Sequence, residues 1–285
     1  MQHDPDLFSL IDGAASPARL APLLEQSGAQ FVSLYKALPE AQLGPASLFL
    51  ARIDDPDATW LGELNEIDLH SPCLTLFWSR VSLQELAIHL SAFLFAGIGE
   101  GMTVMIRFFD PRNTGAVLEM WSEQIRDMFL SPIVRLKYRG RHEQWQTVES
   151  DPPNAGCIFR SVAIDLDQQD IDKLTAHSEP DVLMASLVDF GHIDQTLPYR
   201  RRFLDFEPRY IRALDWGFVE PRDRLTYCDY SYRFGANFDQ HRQVRDALTS
   251  RRETSASFDA TMDRIPRSVW NDLKRRNEAL LRAYP

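Results

Sequence analysis

Short apolar runs along the first 150 residues constrain the fold of this chain more than any other feature. Leu7–Ile11, Phe31–Leu34, Leu48–Ile53, Cys73–Trp78 and Val104–Ile106 each have the length of a buried strand. Helical signals separate several of them. Ser16-Pro17 opens a helix over 17–27 that Gly28 closes, with Leu20, Leu23 and Leu24 on one face. Ser82 with Glu85 reads as a capping box for a helix reaching about Phe95. Trp60-Leu61 predicts a short helix or ordered loop, and Gly97–Gly101 a bend into a strand over 102–109. Helices carrying Val117, Leu118 and Met120, then Ile125, Met128 and Phe129, precede strands at 133–139 and 143–148. This rhythm predicts an α/β (α+β) N-terminal lobe with a central mixed sheet and flanking helices.

Ser150-Asp151-Pro152-Pro153-Asn154 is the clearest punctuation, so the lobe boundary is expected there: 1–150 α/β, 151–285 mainly helical. A helix through Leu174, a restart at Glu179-Pro180, and helices at 208–216, 221–232 and 238–249 are predicted, with a docking helix near Trp270.

Composition excludes several classes. The net charge is -10, with 19 acids against 11 Lys and Arg in residues 1–150. An acidic whole argues against a general nucleic-acid binder. Cys73, Cys157 and Cys228 are far apart and make neither a disulfide framework nor a zinc pattern. Cys73 and Cys157 precede apolar stretches and are expected to be buried. No membrane span or signal peptide is read, and a cytoplasmic location is expected. No phosphate loop, nucleophile elbow or His-Glu-x-x-His helix occurs, so neither metal nor cofactor is expected.

The segment most like a working site is Arg107-Phe108-Phe109-Asp110-Pro111-Arg112. Asp12 and Asp110 each follow an apolar run and are turn formers before Gly13 and Pro111. With Arg107 or Arg112 they could form an ion-paired cluster, an anion site or, as a rival, an enzyme's carboxylate pair. An arginine so near a buried strand needs a carboxylate partner, which casts Arg107, Asp110 and Asp12 as scaffold. Arg112, at the start of a helix, is expected to be the solvent-facing recognition arginine. Arg200, Arg201 and Arg202 form a basic patch, with Arg209 and Arg212 nearby. That patch reads as a protein contact, with nucleic-acid association as the rival. Tyr227, Tyr230 and Tyr232 are further contact candidates, with core packing as the alternative. His89 is expected to face solvent. His192 before Asp194 only superficially suggests a base with an orienting acid.

The ordered set Phe8-Ser9-Leu10-Ile11-Asp12-Gly13-Ala14, Ser33-Leu34-Tyr35, Leu48-Phe49-Leu50, Trp60-Leu61, Ser82–Phe95 and Met105–Arg112 resembles the bacterial type VI secretion adaptor-chaperone family, domain-of-unknown-function family 4123. The resemblance spans roughly residues 7–130. It departs at Gly62-Glu63-Leu64-Asn65, where family members often carry a tryptophan- and glycine-rich stretch. It implies a non-enzymatic protein that binds a toxic effector and promotes its loading onto the spike protein VgrG, with no nucleic-acid or membrane partner. On this reading the two lobes would form a clamp, its groove holding a segment of the effector or spike.

Overall fold

β1 (Asp6–Asp12) is the strand around which the N-terminal sheet is built. It pairs antiparallel with β3 (Leu48–Ile53) on one side and β4 (Leu74–Ser79) on the other. β2 (Phe31–Ser33) adds to β3. On the far side β7 (Ile133–Arg139) joins β4, and β8 (Trp145–Glu149) joins β7. The order is β2-β3-β1-β4-β7-β8. The computed structural model describes residues 4–151, 155–254 and 256–283.

The α/β N-terminal region with a central sheet and the helical C-terminal region are as the sequence predicts. The sheet itself is antiparallel at every pairing rather than mixed. β3 and β4 are parallel to each other and joined by α2 (Thr59–His70), but β1 lies between them. This is a split β-α-β arrangement, in which a helix-linked strand pair need not be adjacent.

Two-residue periodicity divides the apolar side chains between the faces of the sheet. Ile11, Phe49, Ala51 and Ile53 pack with Leu20 and Leu24 of α1 (Pro17–Ser27) and with Trp60, Leu64 and Ile67 of α2. Phe8, Leu10, Leu48, Leu50, Phe77 and Leu136 pack on the other face. There they meet Leu86 and Leu90 of α3 (Leu83–Ser91), Val117 of α4 (Thr114–Met120) and Phe129 of α5 (Glu123–Leu130). The helix ends follow their local chemistry. Gly28 caps α1 at φ 72, and Ser82 with Glu85 forms the full capping box of α3.

α3 ends at Ser91 rather than near Phe95, because Phe95–Gly97 is a strand, β5. It pairs with β6 (Thr103–Met105) in a separate two-stranded hairpin. The strand expected over 102–109 is therefore short, and the Arg107–Arg112 segment lies beyond it, off the main sheet. Cys157 is exposed, against expectation, while Cys73 and Cys228 are buried.

The chain separates into two compact units: Met1–His177 with Pro198–Arg200, and Ser178–Leu197 with Arg201–Pro285. The division falls within α6 (Gln168–Asp189), beyond the punctuation at 150–154, of which Pro152, Pro153 and Asn154 lie outside the described residues. α6 runs unbroken through Pro180, where a restart was predicted. Burial of Glu179, Leu183, Met184 and Leu187 outweighs the one backbone hydrogen bond that proline removes.

From Arg201 on, the second unit continues with α7 (Tyr199–Asp215), then α8 (Pro221–Phe234), α9 (Arg242–Thr254), α10 (Phe258–Met262) and α11 (Arg267–Ala283). Its core is aromatic: Tyr227 packs 5.0 Å from Phe238 and 5.6 Å from Phe218, and Tyr230 lies 5.2 Å from Trp270.

Candidate functional site

Asp12 closes β1, and backbone demands shape the turn that follows. Its amide donates to the Cys73 carbonyl at 3.0 Å, and Gly13 donates to the Ser47 carbonyl at 2.9 Å. The carboxylate accepts from the Ala14 amide at 3.1 Å, an Asx-type turn. A Cβ at Gly13 would stand 2.5 Å from the Ser47 oxygen and 2.7 Å from the Pro45 oxygen, so the site admits glycine alone.

The Arg107–Arg112 turn reaches the end of β1 because its aromatics are pinned inside. Ile106 donates to the Leu94 carbonyl at 2.7 Å. Phe108 and Phe109 are both buried, and Phe108 packs 5.1 Å from Phe129 and 6.2 Å from Trp121. The backbone then turns into α4. Asn113 and Thr114 donate to the Asp110 carbonyl at 2.8 and 3.0 Å, and the Thr114 hydroxyl donates to the Phe108 carbonyl at 2.8 Å.

Four charged side chains close on one another in this space. Arg107 Nη2 lies 3.0 Å from Asp12 Oδ2 and 3.6 Å from Asp110 Oδ2. Arg112 grips Asp110 with its fork, Nε at 2.8 Å and Nη2 at 2.7 Å, and its amide adds a third bond at 3.0 Å. The Arg112 guanidinium also lies over the Tyr199 ring at 5.6 Å, and His177 Nε2 donates to the Arg112 carbonyl at 2.8 Å. Arg112 is thus not the solvent-facing arginine of the motif. Its side chain is 22% exposed, while that of Arg107 is 51% exposed. The reason is local: the turn at Asp110-Pro111 folds Arg112 back onto the preceding carboxylate.

The surroundings shift the two carboxylates in opposite directions. Burial pushes Asp12 above its ordinary value, and the single pairing with Arg107 does not fully offset it. Burial acts on Asp110 too, but Arg112 and Arg107 together hold it below its ordinary value. Tyr35, whose hydroxyl donates to Met105 Sδ at 3.5 Å, is pushed up to about 12 by burial and the Asp12 charge. Two clefts, of about 910 and about 550 Å³, are lined by other residues; neither includes Asp12 or Asp110. Among the described residues no cluster of three His, Cys, Asp or Glu is arranged to hold a metal.

The arginines near 200 differ in their surroundings. Arg200 pairs with Glu143 at 3.4 Å, and Arg201 is exposed. Arg202 is half-buried. Arg209 donates to Asp205 and to the Ser231 carbonyl, and its guanidinium lies 4.1 Å from the Tyr232 ring centroid. Arg212 donates to the Ala236 carbonyl at 2.7 Å. Tyr227 is fully buried with its hydroxyl on Asp239 at 2.8 Å, so it offers no contact surface. Tyr230 and Tyr232 are half-buried, and Tyr232 donates to Asp205 at 2.7 Å. His192 pairs with Asp229 at 2.6 Å rather than with Asp194.

His89 is buried instead of facing solvent. Its Nε2 donates to the Phe129 carbonyl at 2.9 Å and its Nδ1 accepts from the Phe159 amide at 3.1 Å. Two buried ion pairs had no local sequence signal, Arg139 with Asp68 and Arg224 with Glu179. No helix among the described residues is long and apolar enough to cross a membrane.

No curated protein and no solved structure matches this chain. A family model described as a domain of unknown function does match, from Leu7 in β1 to Asp127 in α5. That stretch takes in the Asp12-Gly13 turn and the four charged side chains Asp12, Arg107, Asp110 and Arg112. Residues 7–127 of this chain match the model of family DUF4123.

Proposed function

We propose that this protein is a non-enzymatic adaptor that binds a type VI secretion effector in the cytoplasm of the producing bacterium and promotes its loading onto the VgrG spike. The observation that carries the reading is the match over residues 7–127 to DUF4123, a family generally associated with type VI adaptors and chaperones. The chemistry of the motif supports it. Asp12 and Asp110 are committed to arginines, and a catalytic carboxylate pair would need at least one of them free to act on substrate. Arg107, with its half-exposed guanidinium, replaces Arg112 as the motif's contact candidate for a partner. Arg209 and Arg212 bond carboxylates and carbonyls of their own unit, which favours a protein-binding role over a nucleic-acid-binding one for the second unit.

Co-expression with the proteins encoded beside it, followed by purification through a tag on this chain, tests the proposal. A stable complex with a toxin-like or spike-like neighbour is expected. Folded protein that retains neither neighbour at low or physiological salt would overturn it.

A further inference from the structure

Helix α7 carries some apolar side chains on its outer side as well as on its inner one. Phe203, Phe206 and Ala213 face the core and are buried. Leu204, Ile211 and Leu214 are 45%, 48% and 43% exposed, with exposed Pro208 among them. At about 100° per residue, Leu204, Pro208, Ile211 and Asp215 fall within roughly 60° of one another, with Arg201 at the margin. A surface helix ordinarily turns polar residues outward, and a row of half-exposed branched side chains marks a surface made to be covered.

The charges say what covers it. Exposed Arg201 stands at the N-terminal end of the row and exposed Asp215 at the C-terminal end. Reversing the helix about its midpoint, between Glu207 and Pro208, exchanges Leu204 with Ile211 and carries Arg201 next to Asp215. The stripe is therefore complementary to an inverted copy of itself, which is what a two-fold interface requires. A parallel copy would set Arg201 against Arg201 and Asp215 against Asp215. Inversion also places opposite helix-dipole ends side by side.

We propose that the α7 stripe binds the same stripe of a second copy of this chain, antiparallel across a two-fold axis. A single helix pair covers less than the roughly 1,200 Å² typical of stable complexes, so the dimer is concentration-dependent. The inference stands apart from the adaptor reading and survives or fails without it.

Sedimentation velocity of the full chain over a micromolar concentration series tests this. The weight-average mass should rise toward the dimer with concentration, and Ile211→Glu should remove the rise. Circular dichroism checks that the variant folds, and Leu204→Glu serves where it does not. Arg201→Glu and Asp215→Arg should each weaken dimerisation by about tenfold, since each breaks two symmetry-related pairs. The double variant should restore it. A chain that stays monomeric throughout overturns the proposal, as does a dimer indifferent to folded Ile211→Glu. Failure of the double variant to recover removes the antiparallel geometry. A monomeric chain whose Ile211→Glu variant loses a copurifying protein gives the stripe to that protein instead.

Discussion

Replacing Arg112 with alanine should be the most damaging single change in the Arg107–Arg112 turn. Asp110 is 3% exposed, and without Arg112 its nearest cation is Arg107 at 3.6 Å. Removing one partner of a buried ion pair costs about 3–5 kcal/mol, because the remaining charge stays in a poorly solvating site. Arg107→Ala should cost less, about 1–2 kcal/mol. Arg107 is half in solvent, and Asp12, already pushed upward by burial, can neutralise by taking a proton. Urea unfolding followed by far-UV circular dichroism and tryptophan fluorescence separates the two. With a slope of about 1–3 kcal/mol per molar urea, Arg112→Ala moves the first unit's midpoint by at least roughly 1 M. The acid side adds a check. Asp110 is held below 3.8, so it contributes stability that is complete above that value and is lost as pH falls through its lower folded value. Arg112→Ala should move that loss to higher pH. The reasoning is refuted if Arg112→Ala unfolds like the wild type, or if Arg107→Ala is the more harmful.

Gly13→Ala should destabilise the first unit by about 2 kcal/mol or more, since the new methyl meets the carbonyl oxygens of Pro45 and Ser47, in the segment leading into β3; thermal unfolding of the variant reads this directly. His89 is buried as a neutral donor–acceptor and its pKa lies near 4 instead of 6.5. The unfolded chain binds its proton first, so stability is complete above 6.5 and falls by up to ~3 kcal/mol toward pH 4. His89→Gln, which keeps one donor and one acceptor, should flatten that part of the pH–stability curve, and an unchanged slope would assign the dependence to other groups.

What was legible in the sequence was local. Pro17 and Gly28 bound α1, and Ser82 with Glu85 starts α3, because those residues solve the problem of unpaired helix-end groups within a few positions. The strands β1, β3 and β4 followed from short, largely apolar runs. Pairing was not legible: β1 inserts between β3 and β4, and nothing near Leu7 or Leu74 encodes that choice. The same holds for Asp68 with Arg139 and for Glu179 with Arg224, which meet only after distant elements pack. Pro180 misled for the opposite reason. Its local preference is real, but the buried side of α6 outweighs it. The roles of Arg107 and Arg112 were exchanged because the direction of a side chain in a turn depends on the turn, and spacing alone could not say that Arg112 doubles back onto Asp110.

The physical demands on the motif also say where partner binding should be sought. Gly13 has no room for a side chain, Phe108 and Phe109 are sealed in the core, and Asp110 is saturated by Arg112. Such residues tolerate few replacements whatever the partner, and so make a recognisable family pattern. A surface that must fit one particular protein is under the reverse constraint and is free to differ in each chain. The family match ends at Asp127, before β7 and before the whole second unit. The exposed Leu204, Ile211 and Leu214 of α7 and the 78% exposed Val219 lie beyond that limit. The recognisable part of the chain is thus chiefly its scaffold, apart from Arg107. Substitutions at Ile211 should weaken self-association while leaving stability nearly intact, and substitutions at Arg112 should do the opposite.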